Sequence, residues 1–329
     1  MGMTMKATSA PIHWALLLLM VVPGLDAAQQ AAAQPPASAS TATAATPAVA
    51  GPQAFDTPAQ AADAFIAAAE KFDVPAFKKI LGPGQEDLVI SGDLVQDHKR
   101  AAEFSAHARE KNSVSIDPKD PDHAILIVGK GDWPAPIPIV KHGDKWSFDA
   151  AAGREELLRR RIGSNELDAI EICRGYVEAQ YDYAFDKRQG YEVNQFAQRV
   201  ISTPGKHDGL AWRNSDGTLG GPIGERIADA IEEGYTTKSQ PYHGYYFKVL
   251  KGQGPAAPHG AMDFVIKGVM IGGFALVAAP AEYGSSGIKT FIVSHNGVVY
   301  EKDLGSNTLE EFKKMQRFNP DKTWTPVKD

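Results

Sequence analysis

The chain has a single cysteine, Cys173, in 329 residues. A lone thiol excludes an intramolecular disulfide and any zinc site built on several cysteines. Excess positive charge is also missing: 34 Lys and Arg stand against 40 Asp and Glu, a net charge of −6. Broad binding to polyanions, nucleic acid included, is therefore not expected. The sequence has no P-loop, no G-x-G-x-x-G after a strand, no H-E-x-x-H and no G-x-S-x-G. Those gaps remove familiar nucleotide-binding, zinc-protease and serine-hydrolase signatures. What remains is 43% apolar and 22% charged, the composition of a folded protein rather than a disordered, collagenous or coiled-coil chain.

The N-terminus reads as an export signal over residues 1–27. Lys6 supplies the positive start, and Trp14 to Val22 is a run of nine apolar residues. Such a run reaches ~14 Å as a helix, too short for a hydrocarbon core of ~30 Å. Pro23-Gly24 breaks it, and Ala27 offers a small residue for cleavage. Residues 28–50 hold eleven alanines and no charge or aromatic ring. A segment so poor in large apolar side chains reads as a tether, extending over 28–53. The expected location is the periplasm or the exterior. No stable membrane span is expected unless the signal stays uncleaved and anchors the tether.

A first folded unit is expected over 54–153. Thr57-Pro58 is a helix start, with Ala61, Ala64, Phe65, Ala68 and Phe72 following at helical spacing. A second short helix covers Asp73 to Leu81, and a third runs from about Gln96 to Lys111. Ala124 to Val128 is an apolar strand, and His142-Gly143-Asp144 joins two further strands. Asp132 to Pro138 is rich in proline and reads as a protected edge strand sooner than a docking strip. Helices first and antiparallel strands second make an α+β unit. That order resembles the NTF2-like folds, where helices cover a curved sheet around a conical pocket.

The second unit, 154–329, opens on a long helix to about Asp186, with an interruption expected at Gly163-Ser164-Asn165, where Ser164 or Asn165 would recap the helix before Glu166. Arg159-Arg160-Arg161 is read as a solvated face rather than an anion site. Leu167, Ile170, Cys173, Val177, Tyr181 and Ala184 form its apolar stripe, which makes Cys173 a core residue and not a nucleophile. Strands follow at Tyr245–Leu250, Met262–Ile266, Gly273–Ala279, Thr290–Ser294 and Val298–Lys302. Asn296-Gly297 is expected to be a type I′ hairpin turn. A long helix leading into a small antiparallel sheet resembles pilin and pseudopilin modules.

Several ordered segments resemble one family more closely. They include Gly131 to Pro138, Ala151 to Glu156, Ile162 to Leu167, Ser202 to Leu210, Tyr242 to Phe247 and Met270 to Leu276. From about Phe55 onward the chain is similar to DUF2950, a family of uncharacterised exported bacterial proteins. The resemblance implies export and leaves the activity open.

The densest polar and aromatic cluster is Tyr242, His243, Tyr245 and Tyr246, with His207 and Asp208 in a neighbouring loop. Large rings give contact area at low entropic cost, so these six are the candidate binding residues. Ordinary strand packing also accounts for them. No catalytic residue, metal ligand or cofactor is assigned from the residues. The leading expectation is a non-catalytic binding or assembly module with an envelope protein as partner. The alternative is a small-molecule-binding or hydrolytic enzyme using a pocket in the first unit.

Overall fold

The computed structural model describes residues 51–90, 94–185, 192–223 and 241–328. The export signal and residues 28–50 of the tether lie outside the described residues. The chain forms two units that divide between Arg159 and Arg160. Both are mixtures of helix and antiparallel sheet, as the sequence pattern requires of an α+β protein.

In the first unit, α1 (Pro58–Lys71) starts where Thr57 accepts the Gln60 amide at 3.2 Å, with proline in the first turn. Asp73 caps α2 (Val74–Leu81) in the same way, accepting from the Ala76 amide at 3.0 Å. After α3 (Leu94–Glu110) come β1 (Asn112–Asp117), β2 (Asp120–Val128), β3 (Trp133–Pro134), β4 (Ile139–His142) and β5 (Lys145–Phe148). The sheet runs β1-β2-β4-β5, with β3 also paired to β2. The proline-rich segment is therefore a short strand followed by buried Ala135 and Ile137. Phe65 lies at the centre of the core, 5.2 Å from Phe77, 5.7 Å from Phe104 and 5.1 Å from Phe148.

A single helix, α4 (Ala150–Phe185), contains the division between the units. It is unbroken through Gly163-Ser164-Asn165, against expectation. Asn165 does not recap the helix; its amide donates to the Ser286 carbonyl at 2.8 Å, so a tertiary bond uses the polar group that sequence assigned to a cap.

In the second unit β6 (Trp212–Arg213) pairs with β7 (Leu219–Gly220), and β8 spans Tyr245–Leu250. The pairs β9 (Gly252–Gln253) with β10 (Met262–Asp263), and β11 (Val265–Ile266) with β12 (Val269–Met270), are short. The main sheet adds β13 (Ala275–Pro280), β14 (Lys289–Ser294), β15 (Val299–Asp303) and β16 (Thr325–Pro326), in the order β16-β15-β14-β13-β8. Every residue of β13 is buried, and α5 (Thr308–Lys314) packs on it. One core joins Cys173 and Tyr176 of α4 to Phe247, Leu276, Phe291 and Phe312. Cys173 is thus a core residue.

The hairpin joining β14 and β15 is present, but its turn is not type I′. Gly297 carries a φ of 77° while Asn296 is absent from the positive-φ residues. The Gly297 amide instead closes onto the Ser294 carbonyl at 2.9 Å, centring the turn on His295-Asn296.

Truncating Phe65 to alanine removes all three ring contacts. Chemical denaturation of Phe65→Ala is expected to show a loss of about 3–5 kcal/mol; a loss below ~1 kcal/mol would deny the ring its central place.

Candidate functional site

Arg161, Asn165 and Asp168 stand at helical positions i, i+4 and i+7, so one face of α4 presents all three. Each reaches a different point of two loops. Arg161 Nη2 approaches Ser285 Oγ at 3.4 Å, Asn165 donates to the Ser286 carbonyl, and Asp168 bonds His243 Nδ1. Beside them Glu166 Oε1 accepts the amides of Ile288 and Lys289, both at 2.9 Å, and fixes the start of β14.

The His243 loop is a miniature hairpin. Tyr242 and Tyr245 exchange backbone hydrogen bonds of 3.2 and 2.9 Å around His243-Gly244. The two central residues have φ of 43° and 73°. Positive φ at both positions is the type I′ pattern, which the sequence had pointed to at Asn296-Gly297. Histidine is one of the few non-glycine residues that tolerate this region, and it does so at a cost. Two contacts hold it there: the Asp168 carboxylate, and a Tyr242 ring stacked 4.2 Å away at 7°. Asp168 accepts at Nδ1, so Nε2 is the remaining polar atom of the imidazole.

Family membership can be set beside this geometry. A model described as "Protein of unknown function (DUF2950)" matches residues 52–327. The chain belongs to the DUF2950 family. No curated protein and no solved structure matches it.

In this DUF2950 chain the six sequence-selected residues divide by environment. Tyr242 and His243 share the partly exposed corner, and Tyr246 is half-buried against the core of the second unit. Tyr245 is fully buried, and its hydroxyl donates to the Lys289 carbonyl at 2.8 Å. Burial, with Glu166 and Cys173 nearby, pushes its phenol pKa far up. It anchors the corner from within the core. His207 stacks on Trp212 at 4.2 Å, and its carbonyl accepts from Tyr183 at 3.1 Å. Asp208 accepts the Thr203 amide at 2.7 Å and the Thr203 hydroxyl at 2.8 Å. Burial would raise its pKa, but these bonds and Arg199 outweigh burial and lower it. Both His207 and Asp208 therefore brace a loop.

Other chemistry-bearing groups are occupied. Burial pushes the Cys173 thiol up to about 12, which removes the thiolate. Asp263 bonds Arg317 at 2.5 Å. Among the described residues no three His, Cys, Asp or Glu side chains converge on a metal position, and no helix is long and apolar enough to cross a membrane.

Sequence reasoning missed Arg161, Asn165 and Asp168. The available signal was Tyr-His-Gly-Tyr, because His-Gly suits a turn with two positive φ values.

Two predictions follow from local geometry. A Cβ at Gly244 would lie 2.6 Å from Ser286 Cβ and 2.9 Å from Asn165 Nδ2, at a φ that disfavours side chains. Gly244→Ala is expected to lower stability by about 1–3 kcal/mol in denaturant titration; an unchanged midpoint would contradict the close approach.

His295 is half-buried, edge-on to Phe264 and Phe274, and its Nδ1 has no partner. Burial and then His259 lower its pKa from the ordinary 6.5, against a smaller backbone effect from Phe274. The unfolded chain thus binds the proton more readily. Stability from this group is present above 6.5 and is lost as pH falls through the lower folded value. Thermal unfolding from pH 7 to 5 should fall less steeply in His295→Gln than in the wild type. Equal slopes would exclude the effect.

Proposed function

We propose that the protein is exported to the periplasm or beyond and acts there as a non-catalytic binding or assembly module. In this reading the first unit is NTF2-like and the second pilin-like, and the partner is another envelope protein. The observation that carries the reading is the Tyr242–His243 corner. Its two rings are stacked, partly exposed and held in a costly turn by Asp168. Side chains ordered before binding lose little entropy when they dock, and aromatic rings offer large contact area. Strained backbone persists where the surroundings enforce it, and it is common at ligand clamps.

One observation favours a second reading. A carboxylate bonded to imidazole Nδ1 orients the ring and leaves Nε2 for proton transfer. That pair would serve a small-molecule-binding or hydrolytic enzyme. It lies in the second unit, whereas the enzyme alternative from sequence used a pocket in the first.

A photoreactive phenylalanine analogue at position 242 tests the proposal in intact cells. The expected product is a reproducible adduct with one envelope protein, reduced at least severalfold by His243→Ala. Products confined to the chain itself would overturn it. Tyr245→Ala is unsuited to this purpose because that ring belongs to the core.

A further inference from the structure

We infer that the corner takes an oxyanion, a carboxylate or phosphate group, held by the guanidinium of Arg161; this rests on the Tyr242–His243 corner being a binding surface. The three consecutive arginines separate in the structure. Arg159 Nη1 lies 3.3 Å from Glu156, and Arg160 is also engaged. Arg161 is half-buried, and its buried Nε has no hydrogen-bond partner among the described residues. Its one described bond is the 3.4 Å approach of Nη2 to the neutral Ser285 hydroxyl, near the limit of hydrogen bonding. Farther along α4, Glu166 is engaged through Oε1 by two backbone amides and Asp168 by His243.

A guanidinium partly withdrawn from water without a counter-charge is costly, and an unpartnered buried donor calls for an ion or ligand. A guanidinium carries its N–H donors in a planar fork whose spacing matches the two oxygens of a carboxylate or phosphate. The surroundings supply continuity toward the stacked rings. Ser285 is next to Ser286, and Ser286 and Asn165 both lie against Gly244, the partner of His243 in its turn. Arg161 and Asp168 are seven residues apart, ~10 Å along the axis, the length of a small ligand. The anionic end would sit on Arg161, and the remainder would extend toward Tyr242 and His243. Ser286 Oγ is not a free donor, since it bonds the Glu282 backbone in both directions.

The test is a titration of the purified full chain with inorganic phosphate and, separately, acetate, at constant ionic strength. Saturable heat or a saturable rise in Tm is expected for at least one of them. The dissociation constant should weaken about tenfold or more in Arg161→Gln. Which probe binds decides between phosphate and carboxylate. Modification of Arg161 by phenylglyoxal, read by peptide mass spectrometry, gives a measurement that needs no variant; the binding anion should protect it. Absence of binding by both anions, or equal affinity in a folded Arg161→Gln, would overturn the inference. If neither anion binds while the position-242 adduct persists, the anion site fails and the binding surface stands. If the adduct is absent while Arg161-dependent anion binding is found, the partner reading fails instead.

Discussion

Backbone groups in the loops around the second sheet must find partners, and the polar side chains of α4 supply many of them. Its buried stripe, including Ala169, Ile172, Cys173 and Tyr176, joins the core that contains β13 and β14. The same helix then serves the loops. Glu166 takes two amides at the start of β14, and Asn165 gives its amide to Ser286. Further along, buried Gln180 accepts the Ala197 amide at 2.8 Å and donates to the Ala197 carbonyl at 2.9 Å. Buried backbone outside regular structure would otherwise lose its water without replacement. A helix with only an apolar stripe would pack on the core but leave these loops undetermined.

That division separates scaffold from candidate function. Glu166, Gln180 and Asp208 each bond loop backbone, and their polarity is explained by the loops they hold. Arg161 and His295 are different, because each keeps a buried nitrogen without a partner. His295 sits between aromatic rings, where neutrality satisfies it. Arginine has no neutral form to adopt near neutral pH. The same symptom, an unpartnered nitrogen, therefore leads to a shifted acidity in one case and to an expected counter-ion in the other.

How much of this was readable from sequence depends on the range of the interaction involved. Thr57-Pro58 announced α1 because a cap and its acceptor lie within one turn. The strands at Tyr245–Leu250 and Thr290–Ser294 were visible because aromatic and β-branched residues cluster in them. Cys173 was placed in the core by helical periodicity alone. Asp168 and His243, by contrast, are 75 positions apart, and neither residue type announces the other. Asn165 was misread for the same reason: α4 runs through it, so there is no helix start for its side-chain oxygen to cap, and its Nδ2 donates to a carbonyl 121 positions away. Arg159 and Arg160 lie three and four residues after Glu156, whereas Arg161 has no carboxylate at that spacing, so helical charge pairing was the local signal that set it apart.

The turn at His243 shows how core and corner depend on one another. Its left-handed backbone is unfavourable for a residue with a side chain, yet the next strand begins only two residues later. Tyr245 enters the core completely and bonds Lys289, the residue whose amide is already held by Glu166. Tyr245 and Glu166 therefore meet on opposite polar groups of one residue in β14. This fixes where β8 starts, and Tyr242 pairs back across the turn from that fixed point. The strain at His243 is offset by burial below and by Asp168 beside it, so the partly exposed ring pair inherits the rigidity of the core beneath it.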